Sequence, residues 1–349
     1  MRIDHTSPSR EDAGPSLSPL RAERGLRRLI GLTVAALAMS VSAATVLAAG
    51  YPDHPLRFIV PFPPGGSSDL VGRVVTNQMS AGLGQPIVVE NHAGAGGRIG
   101  VNVIAKAAPD GYTFGIGTVS TLSIAPVLYK DLPYDPLKSL APIGTLMDSP
   151  VIMVVNAEVP AKTVAEFIAL AKAKPGKLNF ATLGPGTLHD FAAEDFSLLA
   201  RVKMLQVPYT GAGPAVVALL AGEAQVMFDN LASFQIANIT SGKLRALVVA
   251  DKARLPQLPA VPAATEAGLP DFLVSSWFGL VAPAGTPPAA VARLNAALRQ
   301  ALRAKPVLDV FDQQAVNPGG STPAELTAKI TSEINRWAHV VEATGFKLQ

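Results

Sequence analysis

The chain has 349 residues, 49% of them hydrophobic, 6% aromatic and 16% charged, which supplies large apolar cores, excludes disorder and implies two domains at this length. Six of the 29 basic residues and four of the 26 acidic ones lie in residues 1–49, leaving 23 against 22. That near-neutral remainder, with no Lys/Arg stripe interleaved with aromatics, argues against nucleic acid as a partner. The absence of cysteine rules out a disulfide, a thiol nucleophile or a thiolate metal site.

At the N-terminus Arg24, Arg27 and Arg28 precede the apolar run Leu29 to Leu47 and the small residues Ala48-Ala49-Gly50. This order of charged, apolar and small segments predicts a cleaved signal peptide over 1–49 and a periplasmic product. The alternative is a membrane anchor, since the run approaches the length of a span, but its many Ala, Ser and Thr residues make it weakly hydrophobic. Arg27-Arg28 resembles a twin-arginine signal with poorly matching flanks, so ordinary Sec export is the expectation.

Beyond it, short β-branched runs alternate with helical patterns. Leu56 to Val60, Ile87 to Val89 and Tyr112 to Ile116 read as strands, with a helix over Asp69 to Ser80. The rhythm resumes with strands at Val151 to Val155, Leu178 to Ala181, Met204 to Val207, Gln225 to Phe228 and Leu244 to Val249. Such alternation predicts an α/β fold of parallel sheets covered by helices, with ligands at the carboxyl ends of the strands. Thr163-Val-Ala-Glu166 and Thr322-Pro-Ala-Glu325 fit the capping box, and Thr286 before Pro287 reads as a cap with proline at the first helical position. In the last helix Leu326, Ile330, Ile334, Trp337 and Val341 share one apolar face, which makes Trp337 a core residue. Crossings between two lobes are expected near Ile143 to Ser149 and after the proline-rich stretch Leu255 to Pro270. Lobe 1 is then discontinuous, 50–145 with 275–349, and lobe 2 is 146–274.

The most informative local feature is Val60-Pro61-Phe62-Pro63-Pro64-Gly65-Gly66-Ser67-Ser68-Asp69, a strand passing through prolines and paired glycines into a helix. Unpaired amides at the helix start, its positive dipole end and the hydroxyls of Ser67 and Ser68 make an anion pocket. The same residues also serve the plainer purpose of turning the chain, with Ser68 or Asp69 as the cap. A bare carboxylate repels an anion, so the cap is the expected role of Asp69. A second glycine loop, Thr182-Leu183-Gly184-Pro185-Gly186-Thr187, sits in the other lobe, where it could hold the same carboxylate or the far end of a dicarboxylate. The cluster Gly94-Ala-Gly96-Gly97-Arg98-Ile99-Gly100 lacks the G-x-G-x-x-G spacing and the acidic residue about 20 positions on, so no nucleotide is expected. Of His54, His92, His189 and His339, none is paired at metal-ligand spacing. Only His189 falls near the expected cleft. Asp229, after an apolar strand, needs a partner from the protein or from a ligand.

In this order, Tyr51-Pro52, Val60-Pro-Phe62-x-Pro64-Gly65-Gly66-x-x-Asp69, Val89-Glu90-Asn91-x-x-Gly94-Ala-Gly96-Gly97, Pro109-Asp110-Gly111-Tyr112, Pro208-Tyr209-x-Gly211, Met227-Phe228-Asp229-Asn230 and Ala282-Pro283-Ala284-Gly285-Thr286-Pro287 resemble the Bug family. These are extracytoplasmic solute receptors related to tripartite tricarboxylate transporters, and the resemblance covers residues 51–348. It implies a type II periplasmic-binding-protein fold, two Rossmann-like lobes around a cleft, with no catalytic residue, metal or cofactor. It implies further that a small mono- or dicarboxylic acid is gripped by backbone amides and water between the loops Phe62 to Asp69 and Thr182 to Thr187. Thr118 and Ser120 after the third strand, and Asp229 at the cleft floor, complete the expected site. The implied partner is a tripartite tricarboxylate-type membrane transporter or a sensor kinase, and a monomer is expected. The sequence departs from the family where Thr182-Leu183 stands for paired serines, Asp190 for the usual histidine and Thr210 for a lysine. Leu183 favours a guest with an apolar or aromatic body. The rival reading is a periplasmic enzyme with His189 and Asp229 or Asp190 as acid and base.

Overall fold

The structure, a computed structural model, describes residues 50–182, 186–209, 212–231 and 233–346. The predicted signal peptide therefore lies outside the described residues, and the fold belongs to the unit that begins at Pro52. Strand β1 (Leu56–Val60) buries every residue except Arg57, whose guanidinium pairs at 2.8 Å with Glu90 on β2 (Ile87–Asn91). Helix α1 (Ser67–Leu83) joins them, closed at Gly84 in the left-handed conformation. Helix α2 (Arg98–Ala105) leads to β3 (Thr113–Thr118), all six residues of which are buried, and a tight turn over Ser120–Ile124 runs into the short α3 (Ala125–Leu128).

Strand β4 (Leu140–Asn156) is the longest and changes partner midway. Leu140 to Pro150 pair with β9 (Ser275–Pro283), whereas Val151 to Asn156 pair with β7 (Val226–Asn230) and β8 (Leu244–Val249). Around that second half stand α4 (Val164–Ala173), β5 (Asn179–Thr182), α5 (Leu188–Ala200), β6 (Leu205–Pro208), α6 (Ala212–Leu220) and α7 (Ser233–Thr240). The chain ends with α8 (Pro288–Ala301), α9 (Lys305–Gln313), the two-residue β10 (Asn317–Pro318) and α10 (Pro323–Thr344). The strand order is β2-β1-β3-β9-β4-β7-β5-β6, with β8 and β10 also on β4.

This corrects the parallel sheets read from the alternation. Both flanks are parallel, β2-β1-β3 and β7-β5-β6, but every pairing that involves β4 or β9 is antiparallel. Parallel neighbours need a helical crossover, and β4 and β9 are instead long strands, of 17 and 9 residues, that run in opposite directions. Along β4 the side chains alternate between two cores. Val151, Met153 and Val155 join Phe167, Phe196, Phe228 and Phe272 on one face, while Ile152 and Val154 join Met227 and Leu219 on the other.

Of the three predicted caps, one forms in full, one in half and one is displaced. At α10 the Thr322 hydroxyl accepts the Glu325 N–H and the Glu325 carboxylate accepts the Thr322 N–H, a complete box. At α4 the Thr163 hydroxyl accepts the Glu166 N–H, but the Glu166 carboxylate reaches Lys162 instead, so the box is half made. At α8 the predicted cap is displaced by one residue. Pro287 is the N-cap, and the Thr286 hydroxyl donates backwards to the Pro283 carbonyl at 2.7 Å. Trp337 is fully buried, edge-on to Phe191 with centroids 5.5 Å apart.

Candidate functional site

Two loops, one after β1 and one after β5, are built alike. In the first, Gly65 takes a positive φ of 82° and donates its N–H to the Asp69 carboxylate at 3.0 Å. In the second, Gly186 takes a φ of 76° and donates to the Asp190 carboxylate, also at 3.0 Å. Each loop is thus clamped by a carboxylate four residues on, in the first turn of its own helix. Asp69 is further held by Arg73 at 3.0 Å and by the side-chain amide of Asn91 at 3.0 Å, which also donates to the Phe62 carbonyl. Asp190 receives the Gln206 amide at 2.6 Å, and the Thr187 hydroxyl caps α5 by accepting the Asp190 N–H. Asp69 is therefore engaged by the protein, but as a clamp on Gly65 and not as the expected cap: the N-cap of α1 is Gly66, and no side chain caps it. The equivalent role of Asp190 was not foreseen, although the repeated Gly-x-x-x-Asp spacing carries the signal.

The two clamps differ electrostatically. The Arg73 guanidinium, helped by Gly65 and Asn91, outweighs burial and holds Asp69 down at about 2. Asp190 has no guanidinium beside it, and burial, with Glu194 adding to it, pushes it up to about 7 against the pull of Gly186, Gln206 and His189. Burial pulls the neighbouring His189 down, but Asp229, Asn230 and Asp190 together outweigh it and raise the imidazole above its ordinary value. With Gly65 and Gly186 engaged by their own helices, the donors α1 offers a guest are the amides of Gly66, Ser67 and Ser68, which have no intrahelical acceptor.

Between the loops lies a cavity of about 410 Å³, lined by Phe62, Arg98, Ser120, Tyr129, Gly186 and Thr187 among others. It brings together four of the predicted site residues: Phe62, Ser120, Gly186 and Thr187. Thr182 is buried with its hydroxyl 3.5 Å from that of Thr187. Thr118 is buried and its amide is bonded to the Thr121 hydroxyl. Pro63, Gly65, Gly66 and Ser67 are exposed, Ser68 and Asp69 are buried, and none of these six lines the cavity. Gly184, and Leu183 with its predicted effect on pocket polarity, lie outside the described residues. Asp229 finds its partners within the protein: His189 at 3.0 Å, the Asn230 N–H at 2.8 Å and the Gln235 amide at 2.7 Å. The acid and base of the enzymatic reading, His189 and Asp229, are thus joined to each other, and neither lines the cavity.

The residue missed from the sequence is Arg98. It begins α2, and its guanidinium stacks on Tyr129 at 3.5 Å from the ring centroid, within the cavity wall. The glycine cluster that fails as a nucleotide loop is what puts it there. A Cβ at Gly100 would come within 2.6 Å of the Pro61 Cα and 2.8 Å of the His92 carbonyl, so α2 seats against the end of β1 only with glycine. The adjacency of Pro61 and Gly100 is a tertiary fact, and no local spacing reports it.

Comparison with known proteins agrees with this architecture. Residues 71–346 match the family described as tripartite tricarboxylate transporter family receptor. The protein BugT of Bordetella pertussis is 39% identical over 325 residues, 93% of this chain and 99% of that protein. Among solved structures, MatC (Rpa3494) from Rhodopseudomonas palustris with bound malate is 36% identical with a TM-score of 0.68, covering 83% of this chain and all of that one. R. palustris Rpa4515 with adipate is 30% identical with a TM-score of 0.71, covering 85% and 99%. The chain therefore belongs to the receptor family of the tripartite tricarboxylate transporters, solute-binding proteins of periplasmic-binding-protein fold and not enzymes.

Proposed function

We propose that this protein is a periplasmic receptor that closes over a small carboxylate and delivers it to a tripartite tricarboxylate-type membrane transporter. The observation that carries the reading is the composition of the cavity wall. Phe62, Arg98 and Ser120 come from residues 50–145 and Gly186 and Thr187 from residues 146–274, so a guest touches both proposed lobes at once. Contacts available from both sides only when the lobes are together favour the closed state in proportion to their strength. The amides of Gly66 to Ser68, the hydroxyls of Ser67 and Ser120 and the edge of the Gly186-Thr187 turn supply the donors, and the clamps from Asp69 and Asp190 hold both loops rigid beforehand. Preorganised donors hold a carboxylate without having to be ordered at the moment of binding. The malate and adipate of the two related structures support a carboxylate as guest. Residues 1–49, as an export signal cut after Ala48 or Ala49, place the receptor in the periplasm.

The test is a thermal-shift screen of the purified protein against organic acids, matched amides and alcohols, and amines. Only carboxylates are expected to raise the melting temperature, because a ligand that binds the folded state alone stabilises it by mass action. The bound acid should be recovered chemically unchanged after prolonged incubation. Stabilisation by an uncharged analogue equal to that of its acid, or consumption of the acid, defeats the reading.

A further inference from the structure

Arg98 is a cation placed where the protein gives it no anion. Its backbone N–H goes to the Ala95 carbonyl, but among the described residues its guanidinium makes no hydrogen bond and no ion pair, and it stacks on the ring of Tyr129. It occupies the first residue of α2, where the helix dipole is positive and a basic side chain is unfavourable. No carboxylate lines the cavity it faces. Asp131 lines a second hollow, of about 310 Å³, which shares Arg98 and Tyr129 with the first, yet no ion pair joins Asp131 to Arg98. The remaining wall near Arg98 is hydrocarbon: Phe62, Ile124, Ala125 and Leu128. The guanidinium carbon lies 3.5 Å from the Tyr129 ring centroid, and both side chains line the cavity.

We infer that Arg98 is the residue that selects for a second carboxylate, so that the preferred guest is a dicarboxylate whose two charges are joined by an apolar chain. This rests on the proposed carboxylate function and deepens it. One carboxylate lies on the loop amides, and the other meets the Arg98 guanidinium with the Ser120 hydroxyl in reach of the same cavity. The chain between them lies along the hydrocarbon wall. Guanidinium and carboxylate match in planar, two-point geometry, which a lysine in this place would not reproduce.

The experiment is isothermal titration of the wild type and of Arg98→Met with straight-chain dicarboxylates from butanedioate to octanedioate, each paired with the monocarboxylate of equal length. In the wild type at least one dicarboxylate is expected to bind about tenfold or more tighter than its monocarboxylate. Arg98→Met should abolish that preference by weakening the dicarboxylate about tenfold more than its paired monocarboxylate. If Arg98→Met lowers the melting temperature so far that it cannot be titrated, Arg98→Lys is the second variant. It keeps the charge without the fork, and its preference must fall between wild type and none. An undiminished preference in either variant, with carboxylates still bound, overturns the role of Arg98 alone. Failure of the wild type to bind any acid of either series overturns the carboxylate reading together with it.

Discussion

Asp190 sits in a fully buried position and is raised by that burial from 3.8 to about 7, so over this interval the folded chain keeps a proton that the unfolded chain has lost. Its contribution to stability is therefore complete below about pH 4 and drains away as pH climbs toward 7. His189 acts in the same sense, since its folded value lies above 6.5 and its share is lost as pH rises past it. Asp69 acts in the opposite sense. Held at about 2, its contribution is present above 3.8 and disappears as pH falls to 2. On these groups the melting temperature is thus expected to be highest near pH 4 and to fall on either side. Asp190→Asn should flatten the alkaline limb and leave the acid limb alone, at a uniform cost of about 1 kcal/mol because an amide oxygen serves only one of the two donors. A variant profile with the wild-type slope above pH 6 would show that Asp190 does not titrate there. The glycines of the first loop separate similarly. Gly66 has φ −78° and room for a Cβ, 3.7 Å from the Pro63 carbonyl, so Gly66→Ala should leave stability within about 0.5 kcal/mol. Gly65, at φ 82°, should lose about 1 kcal/mol or more as alanine in chemical denaturation. At this scale Asp69 was legible only in part: its bonds to Gly65 and Arg73 span four positions, but it clamps the loop instead of capping the helix, and its bond from Asn91 is tertiary. Arg98 was not, because its significance depends on Tyr129 and Pro61, which are distant in the chain.

Elements differ in how far local chemistry announces them. β1, bounded by Pro55 and Pro61, and β8, which follows Gly242-Lys243, are legible to the residue, since a short apolar run after a breaker needs nothing further to be a strand. β4 is legible only over Val151 to Val155, less than a third of its 17 residues. Pro142, Gly144 and Pro150 look like breakers in its first half. The ladder to β9 tolerates two of them through register shifts between Pro142 and Gly144 and between Thr145 and Met147. At Gly144 a Cβ would meet the Ser321 carbonyl at 2.6 Å, so the apparent breaker is a packing contact. The two capping motifs provide a matched test. Thr322→Ala removes the hydroxyl's bonds with the Glu325 N–H and carboxylate, leaves the bond from the residue 322 N–H to Glu325, and should cost about 1 kcal/mol in urea unfolding, whereas Thr163→Ala removes one bond and should cost less. Equal losses would mean that the Thr322 hydroxyl gains nothing from the Glu325 carboxylate.

The whole molecule is tied together by α10. Trp337 packs on Phe191 of α5, and Arg336 reaches the Asp195 carboxylate of α5 and the Leu273 carbonyl just before β9. Lys329 holds Asp148 at 2.8 Å, beside the point where β4 changes partner. Asp195 is 7% exposed, so Arg336→Met strands a buried carboxylate and should cost about 3 kcal/mol in equilibrium unfolding. Adding Asp195→Leu should recover most of that loss, and a double variant no more stable than the single one would assign the cost to lost packing instead. The sequence by itself determined the α/β class, most strands, the two glycine loops and the family, because hydrophobic period, turn residues and caps act over a few positions. Tertiary structure alone decided the antiparallel centre, the burial that raises Asp190, the pairing of Asp229 with His189 and the presence of Arg98 in the cavity wall. Each of these depends on which distant segments meet, and both dielectric surroundings and ion pairing are properties of that meeting.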